Sequence, residues 1–225
     1  MNDFSVQKPV TYFEQIYEHL REMIFQGVYK PGDRIYEAKI AREFKISRSP
    51  VREAVRVLQN EGLLAIDDKS KITVYKPTIK DVEDIYQCRI VLESLAAKLT
   101  TELVSEDELQ EIEGTLVLSK KFLESKKNQN DRSLIAENAR FHDLITQYSQ
   151  NNRLQKQIND LWSLSHYYRV LNFQGENRDW NVFNEHQEIF HHIKKRDSKK
   201  AEQAMAQHLT NDINHLKKIL QNQSI

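Results

Sequence analysis

Residues 46–54 read Ile46-Ser47-Arg48-Ser49-Pro50-Val51-Arg52-Glu53-Ala54. A serine followed by proline marks a helix start: Ser49 or a neighbour caps the helix, and Pro50 sits in the first turn, where a missing N–H does no harm. Arg48, Arg52 and Arg56 are four apart and therefore share one face, while Ala54, Val55 and Leu58 supply a face to bury. The helix runs to about Glu61, and Gly62 ends it.

Working outward, residues 37–44 form a short helix joined to this one by a connector at Ile46 and Ser47, and Pro31-Gly32 is a turn. Residues 12–25 carry Phe13, Ile16, Tyr17, Leu20 and Ile24 at helical spacing, with Gly27 as the stop. Downstream, residues 64–66 and 72–75 read as two short strands around the polar tip 67–71. Helix, helix, turn, helix and β-hairpin is the layout of a winged helix-turn-helix.

The charge of this segment points to its partner. Between Lys39 and Val57 six cations stand against two carboxylates, a net of +4 in a chain whose overall charge is +0. Such a local patch suits a phosphate backbone. The start of the second helix would enter the major groove, where Arg48 and Arg52 can bond guanine O6 and N7. Arg42 adds to the patch, and the Ser47 and Ser49 hydroxyls can bond phosphates. Lys69 and Lys71 on the hairpin tip face the adjacent groove or backbone. The alternative, a charged helix that is merely solvated, leaves the turn, the spacing and the hairpin unexplained.

The rest of the chain changes character. Three of the four prolines and three of the five glycines lie before residue 63, and Pro77 is the last proline. A domain boundary is placed there, giving a DNA-binding domain 1–76 and a helical domain 77–225. Thr78-x-x-Asp81 and Ser105-x-x-Glu108 match capping boxes and open helices 78–103 and 105–126. Helices 131–148, 153–173, 180–195 and 198–220 follow, with 126–131 the most loop-like stretch. The fold class is mainly α: an N-terminal winged helix-turn-helix followed by an all-helical antiparallel bundle.

Bulk properties exclude other classes. No run approaches the roughly 18 apolar residues of a membrane span. Residues 1–10 have no apolar segment of the kind a secretory signal needs. The single cysteine, Cys88, rules out an intrachain disulfide framework, so a cytoplasmic protein is expected.

Leu20-Arg21, Ile24, Gly27, Pro31-Gly32, Glu37, Ala41, the run 46–54, Leu58 and Glu61-Gly62-Leu63 together strongly resemble the GntR family of bacterial regulators. One departure is the wing. The family often has a glycine-containing tip, whereas this one reads Asp67-Asp68-Lys69-Ser70-Lys71, so the resemblance carries wing contacts only to Lys69 and Lys71. Residues 78–225 resemble the helical effector domain of the FCD subfamily, of six or seven helices. Arg89-x-x-x-Glu93, Phe141-His142, Glu185-His186 and His208 carry that likeness.

The resemblance implies a divalent metal held by an Asp and three His, and the corresponding residues are Asn138, His142, His186 and His208. Asn138 and His142 share a helix face, and three imidazoles suit zinc, nickel or a similar ion. Asn brings no negative charge, which leaves a metal-free polar pocket as the alternative. Arg89 resembles a position that contacts a carboxylate ligand, the alternative being a surface ion pair with Glu93. His166 and Tyr167 are further candidates for the pocket. His191, His192 and His215 read as solvent-exposed.

The implied function is a ligand-responsive transcription regulator, a repressor by expectation, whose effector is a small organic acid. A single winged helix covers a short half-site, so a homodimer on a palindromic operator is expected. A metal-dependent hydrolase is disfavoured because no H-E-x-x-H occurs and no carboxylate is spaced as a base beside His142. An architectural DNA-binding protein would have no use for converging histidines.

Overall fold

The structure, a computed structural model, describes residues 10–125, 132–173 and 178–222. The loop-like stretch 126–131 lies outside them. The chain divides into two compact units between Lys76 and Pro77.

The first unit begins with α1 (Tyr12–Phe25), opened by a capping box in which Thr11 accepts from Glu14 N–H and the Glu14 carboxylate reaches back. It buries Ile16, Leu20, Ile24 and Phe25. α2 (Glu37–Glu43) and α1 both pack on α3 (Arg48–Asn60), which buries Val51, Ala54, Val55 and Leu58. Between α2 and α3 the chain turns through Lys45 in the left-handed region, φ 54°. Ser47, not Ser49, is the N-cap, and its hydroxyl makes no capping bond.

The sheet has three strands rather than the two read from the sequence. β1 (Arg34–Ile35), β2 (Leu64–Ile66) and β3 (Ile72–Val74) are antiparallel in the order β1-β3-β2, with Ile35 and Ile66 both opposite Ile72. Two residues are too few to show strand alternation, so β1 is visible only through its pairing. The wing tip is closed by Asp67, whose Oδ1 accepts from the backbone N–H of Lys69 at 2.9 Å and Lys71 at 2.8 Å. Ser70 takes the positive-φ position, φ 58°, where glycine is the usual residue. The Asp67 carboxylate is therefore a turn-forming group.

The second unit contains seven helices among the described residues: α4 (Ile79–Leu103), α5 (Glu106–Glu124), α6 (Arg132–Tyr148), α7 (Asn152–Asp160), α8 (Trp162–Asn172), α9 (Arg178–Lys194) and α10 (Ser198–Asn222). Both capping boxes form as their sequences require. The single helix expected over 153–173 is two, broken at Leu161, which ends α7 and precedes α8. No Gly or Pro marks the break. Packing makes it, since α7 lies on α4 and α6 whereas α8 lies on α10 and α6. α4 and α10, 25 residues each, form the most extensive helix pair. Among the described residues no helix is long and apolar enough to cross a membrane.

Candidate functional site

Two sites emerge, one in each unit. In the first, α3 presents Arg48, Arg52 and Arg56 to solvent on the face opposite its buried residues, with Ser47 and Ser49 exposed at its start. Arg42 on α2 is also exposed. Among the described residues Arg42, Arg48 and Arg56 make no ion pair, and Arg52 is only 4.0 Å from Glu37. Lys69 and Lys71 are exposed on the wing. These guanidiniums keep their hydrogen-bonding capacity for a partner outside the unit.

In the second unit α6, α9 and α10 bring His142, His186 and His208 together, all buried. Ring centroids lie 5.0 Å (His142–His186), 5.3 Å (His142–His208) and 4.7 Å (His186–His208) apart. One nitrogen from each falls within 4.8 Å of the others. Phe141 stacks on His186 at 4.1 Å, so one wall is aromatic.

Carboxylates hold two of the rings. Glu93 Oε2 lies 2.6 Å from His142 Nδ1, and Glu185 Oε2 lies 2.7 Å from His208 Nδ1. Both rings can donate from Nδ1, which turns their Nε2 atoms toward the centre. His142 Nε2 has no hydrogen-bond partner, nor has Asn138 Oδ1, one helical turn earlier on α6. His186 Nε2 and His208 Nε2 approach to 3.3 Å, a contact that requires one proton between them. Carboxylate-backed imidazoles with bare, converging nitrogens are the arrangement seen around bound metal ions. The residues present therefore fit a divalent cation, with Asn138 able to add an oxygen.

The electrostatics favour neutral imidazoles at His142 and His186. Burial pulls His142 down to about 4, against the pull of Glu93. Burial and the neighbouring His208 and His142 hold His186 well below the ordinary imidazole range. Glu93 stays ionised despite burial because Arg89 and His142 flank it. Asp212 is likewise held below the ordinary carboxylate range against burial by His208 and Arg178.

Arg89 and Glu93 form a fully buried pair, with Arg89 Nε 2.6 Å from Glu93 Oε1. That overturns the surface ion pair held as an alternative for Arg89. A carboxylate does stand beside His142, though it is Glu93 of α4, 49 residues away in the chain. Arg178 bonds Glu185 through both oxygens, at 2.9 and 3.0 Å, and also pairs with Asp212, which Asn172 bonds in turn. These fix the His208 partner. Sequence reading passed over Arg169, Arg178 and Asp212. The His208-x-x-x-Asp212 spacing was the available signal, since residues four apart share a helix face.

Tyr167 is buried against Tyr168, and burial pushes its hydroxyl up to about 12. His166 is half-buried and stacks on Trp162 at 5.1 Å. His191 is exposed as read, but His192 and His215 are half-buried.

The arrangement has known counterparts. Residues 13–74 match the model for bacterial regulatory proteins of the gntR family, and residues 84–211 match the FCD domain. The chain belongs to the GntR family. It is a DNA-binding transcription regulator with a C-terminal FCD domain, in a family of regulators and not of enzymes. Among GntR relatives, the uncharacterized HTH-type transcriptional regulator YdhC of Bacillus subtilis (strain 168) is 38% identical over 221 residues, 98% of each chain. The HTH-type transcriptional repressor RspR of Escherichia coli (strain K12) is 28% identical over 211 residues, covering 94% of this chain and 91% of its own. The solved structure of E. coli McbR/YncC shares the fold with a TM-score of 0.76 at 22% identity, covering 93% and 99% of the two chains.

Proposed function

We propose that this GntR regulator is a cytoplasmic homodimeric repressor that binds a palindromic operator and is controlled by a small carboxylate effector in the FCD domain. The observation that carries the effector site is the buried histidine triad, with two rings braced by carboxylates and with unpartnered polar atoms beside it. The name of the E. coli relative RspR supports repression. His142, His186 and His208 would hold a divalent ion such as zinc or nickel, with Asn138 as a neutral fourth donor. The ion would supply a Lewis-acid anchor for a carboxylate oxygen. Arg89, exposed to no solvent, would pair with the acid, its planar fork matching a carboxylate. Tyr167 and His166 belong to α8 and would shape the wall of the site. The effector acts only through different affinities for two arrangements of the regulator.

An ion bound here would need both Nε2 atoms unprotonated, so it would break the His186–His208 contact and move the His186 proton to Nδ1. Tag-free protein should contain a chelatable divalent ion, and His186→Ala should remove it. Elemental analysis before and after chelator treatment measures this. Protein that takes up no zinc, nickel or manganese would leave the histidines as a metal-free pocket.

On the DNA side, Arg48→Ala or Arg52→Ala should weaken operator binding by about 1–3 kcal/mol, roughly 5- to 150-fold, with the fold unchanged. Operator titration at fixed salt measures this. Parent-like affinity in both variants would mean that another face of the domain reads the bases.

A further inference from the structure

Beside the histidine centre lie two buried guanidiniums served by too few carboxylates. Arg89 on α4 and Arg169 on α8 are exposed to only 1% and 4%. Glu93 spends one oxygen on Arg89 Nε and the other on His142 Nδ1. Arg89 Nη1 and Nη2, and Arg169 Nε and Nη1, are left buried without hydrogen-bond partners among the described residues. Arg169 lies within electrostatic reach of Arg89, Glu93 and Asp143, and burial together with Arg89 lowers its hold on its proton. Tyr86 Oη, also buried and unpartnered, belongs to the ring over which the Arg89 guanidinium lies at 4.6 Å.

A buried guanidinium without a counter-charge is costly, and buried donors are normally satisfied. Asp143 and Asp212 lie within electrostatic reach of Arg169 and Arg89 but bond neither, so four buried nitrogens on two guanidiniums still lack an acceptor. A monocarboxylate satisfies one arginine and leaves the donors of the other bare. We propose that the effector site takes a small dianion, with one acidic group on the Arg89 fork and the second drawn to Arg169. This rests on the reading of the FCD cavity as an effector site and narrows its ligand to molecules with two negative charges. A dicarboxylic acid and a phosphate both have that chemistry.

The test is calorimetric titration of the full chain, zinc-loaded and metal-free, at pH 8. Succinate is compared with butyrate and malate with lactate, pairs that differ by one carboxylate, and inorganic phosphate is titrated into the metal-free form. Succinate and malate should bind at least tenfold more tightly than their partners. Arg169→Gln should cut succinate affinity at least tenfold while leaving butyrate within twofold, and Arg169→Lys should fall between. A merely structural Arg169 would weaken both acids alike, which overturns the assignment, as does equal binding of succinate and butyrate by the parent. If Arg169→Gln does not fold, the parent ratios and Arg169→Lys decide. Phosphate binding above both acids supports the two-charge requirement and names phosphate as its source. Failure of every anion to bind overturns the effector-site reading itself, and the dianion with it.

Discussion

Glu93→Ala is expected to lower the unfolding free energy of the helical unit by about 3–5 kcal/mol, the usual cost of removing one partner of a buried ion pair. Glu93 is 3% exposed and serves two groups at once, Arg89 through Oε1 and His142 through Oε2. Its removal leaves the Arg89 guanidinium charged and without its bonded carboxylate, and frees His142 to change its protonated nitrogen. Glu93→Gln keeps hydrogen-bonding atoms at both contacts but not the charge, so its loss should be smaller. Both tryptophans, Trp162 and Trp180, lie in the second unit, so their fluorescence during urea unfolding follows that unit alone. A loss below about 1 kcal/mol for Glu93→Ala, within the range of an exposed pair, would show that the arginine is neutralised by other groups.

The second large effect is on pH dependence. His142 titrates near 4 in the folded protein against an ordinary value of 6.5. Between these values the unfolded chain holds a proton that the folded chain does not, so acid favours unfolding. Stability is full above pH 6.5 and falls as pH drops toward 4, by about 3 kcal/mol for this one group, with about 2 kcal/mol of that lost by pH 5. His186 acts in the same direction, also depressed by burial. Glu93 and Asp212, held below the carboxylate range, add losses only at lower pH. Urea unfolding of metal-free protein at pH 7 and pH 5, followed by the same fluorescence, measures the slope. Zinc should add more stability at pH 7 than at pH 5, since it competes with protons for the imidazoles. Equal stability at the two pH values would mean that His142 is solvated in solution.

The DNA-reading unit was legible in the chain because its determinants are local. Pro50 in a first turn, arginines every fourth residue and positive-φ glycines after α1 and α3 act within a few residues of themselves. The capping boxes at Thr78 and Ser105 were legible for the same reason. Where a local signal was missing, the reading failed. β1 has only two residues, and the break at Leu161 has neither Gly nor Pro, so pairing and packing decided both. Ser70 in the left-handed region, with Asp67 bonding the turn, closes the wing tip without a glycine and gives Asp67 a structural role that the sequence did not show.

The histidine centre divides in the same way. The sequence by itself determined that His142, His186 and His208 sit on three separate helices, and that Asn138 shares a face with His142, because helical period is a property of the chain. Which nitrogens converge, and with what protonation, was decided only when α4, α6, α9 and α10 packed. Glu93 reaches His142 across 49 residues, Glu185 reaches His208 across 23, and Arg178 reaches Asp212 across 34. Those partners orient the rings, keep Glu93 ionised and leave Arg169 without a bonded carboxylate. Burial, which sets the energetic weight of every one of these contacts, belongs to the packed bundle and to no single segment of it.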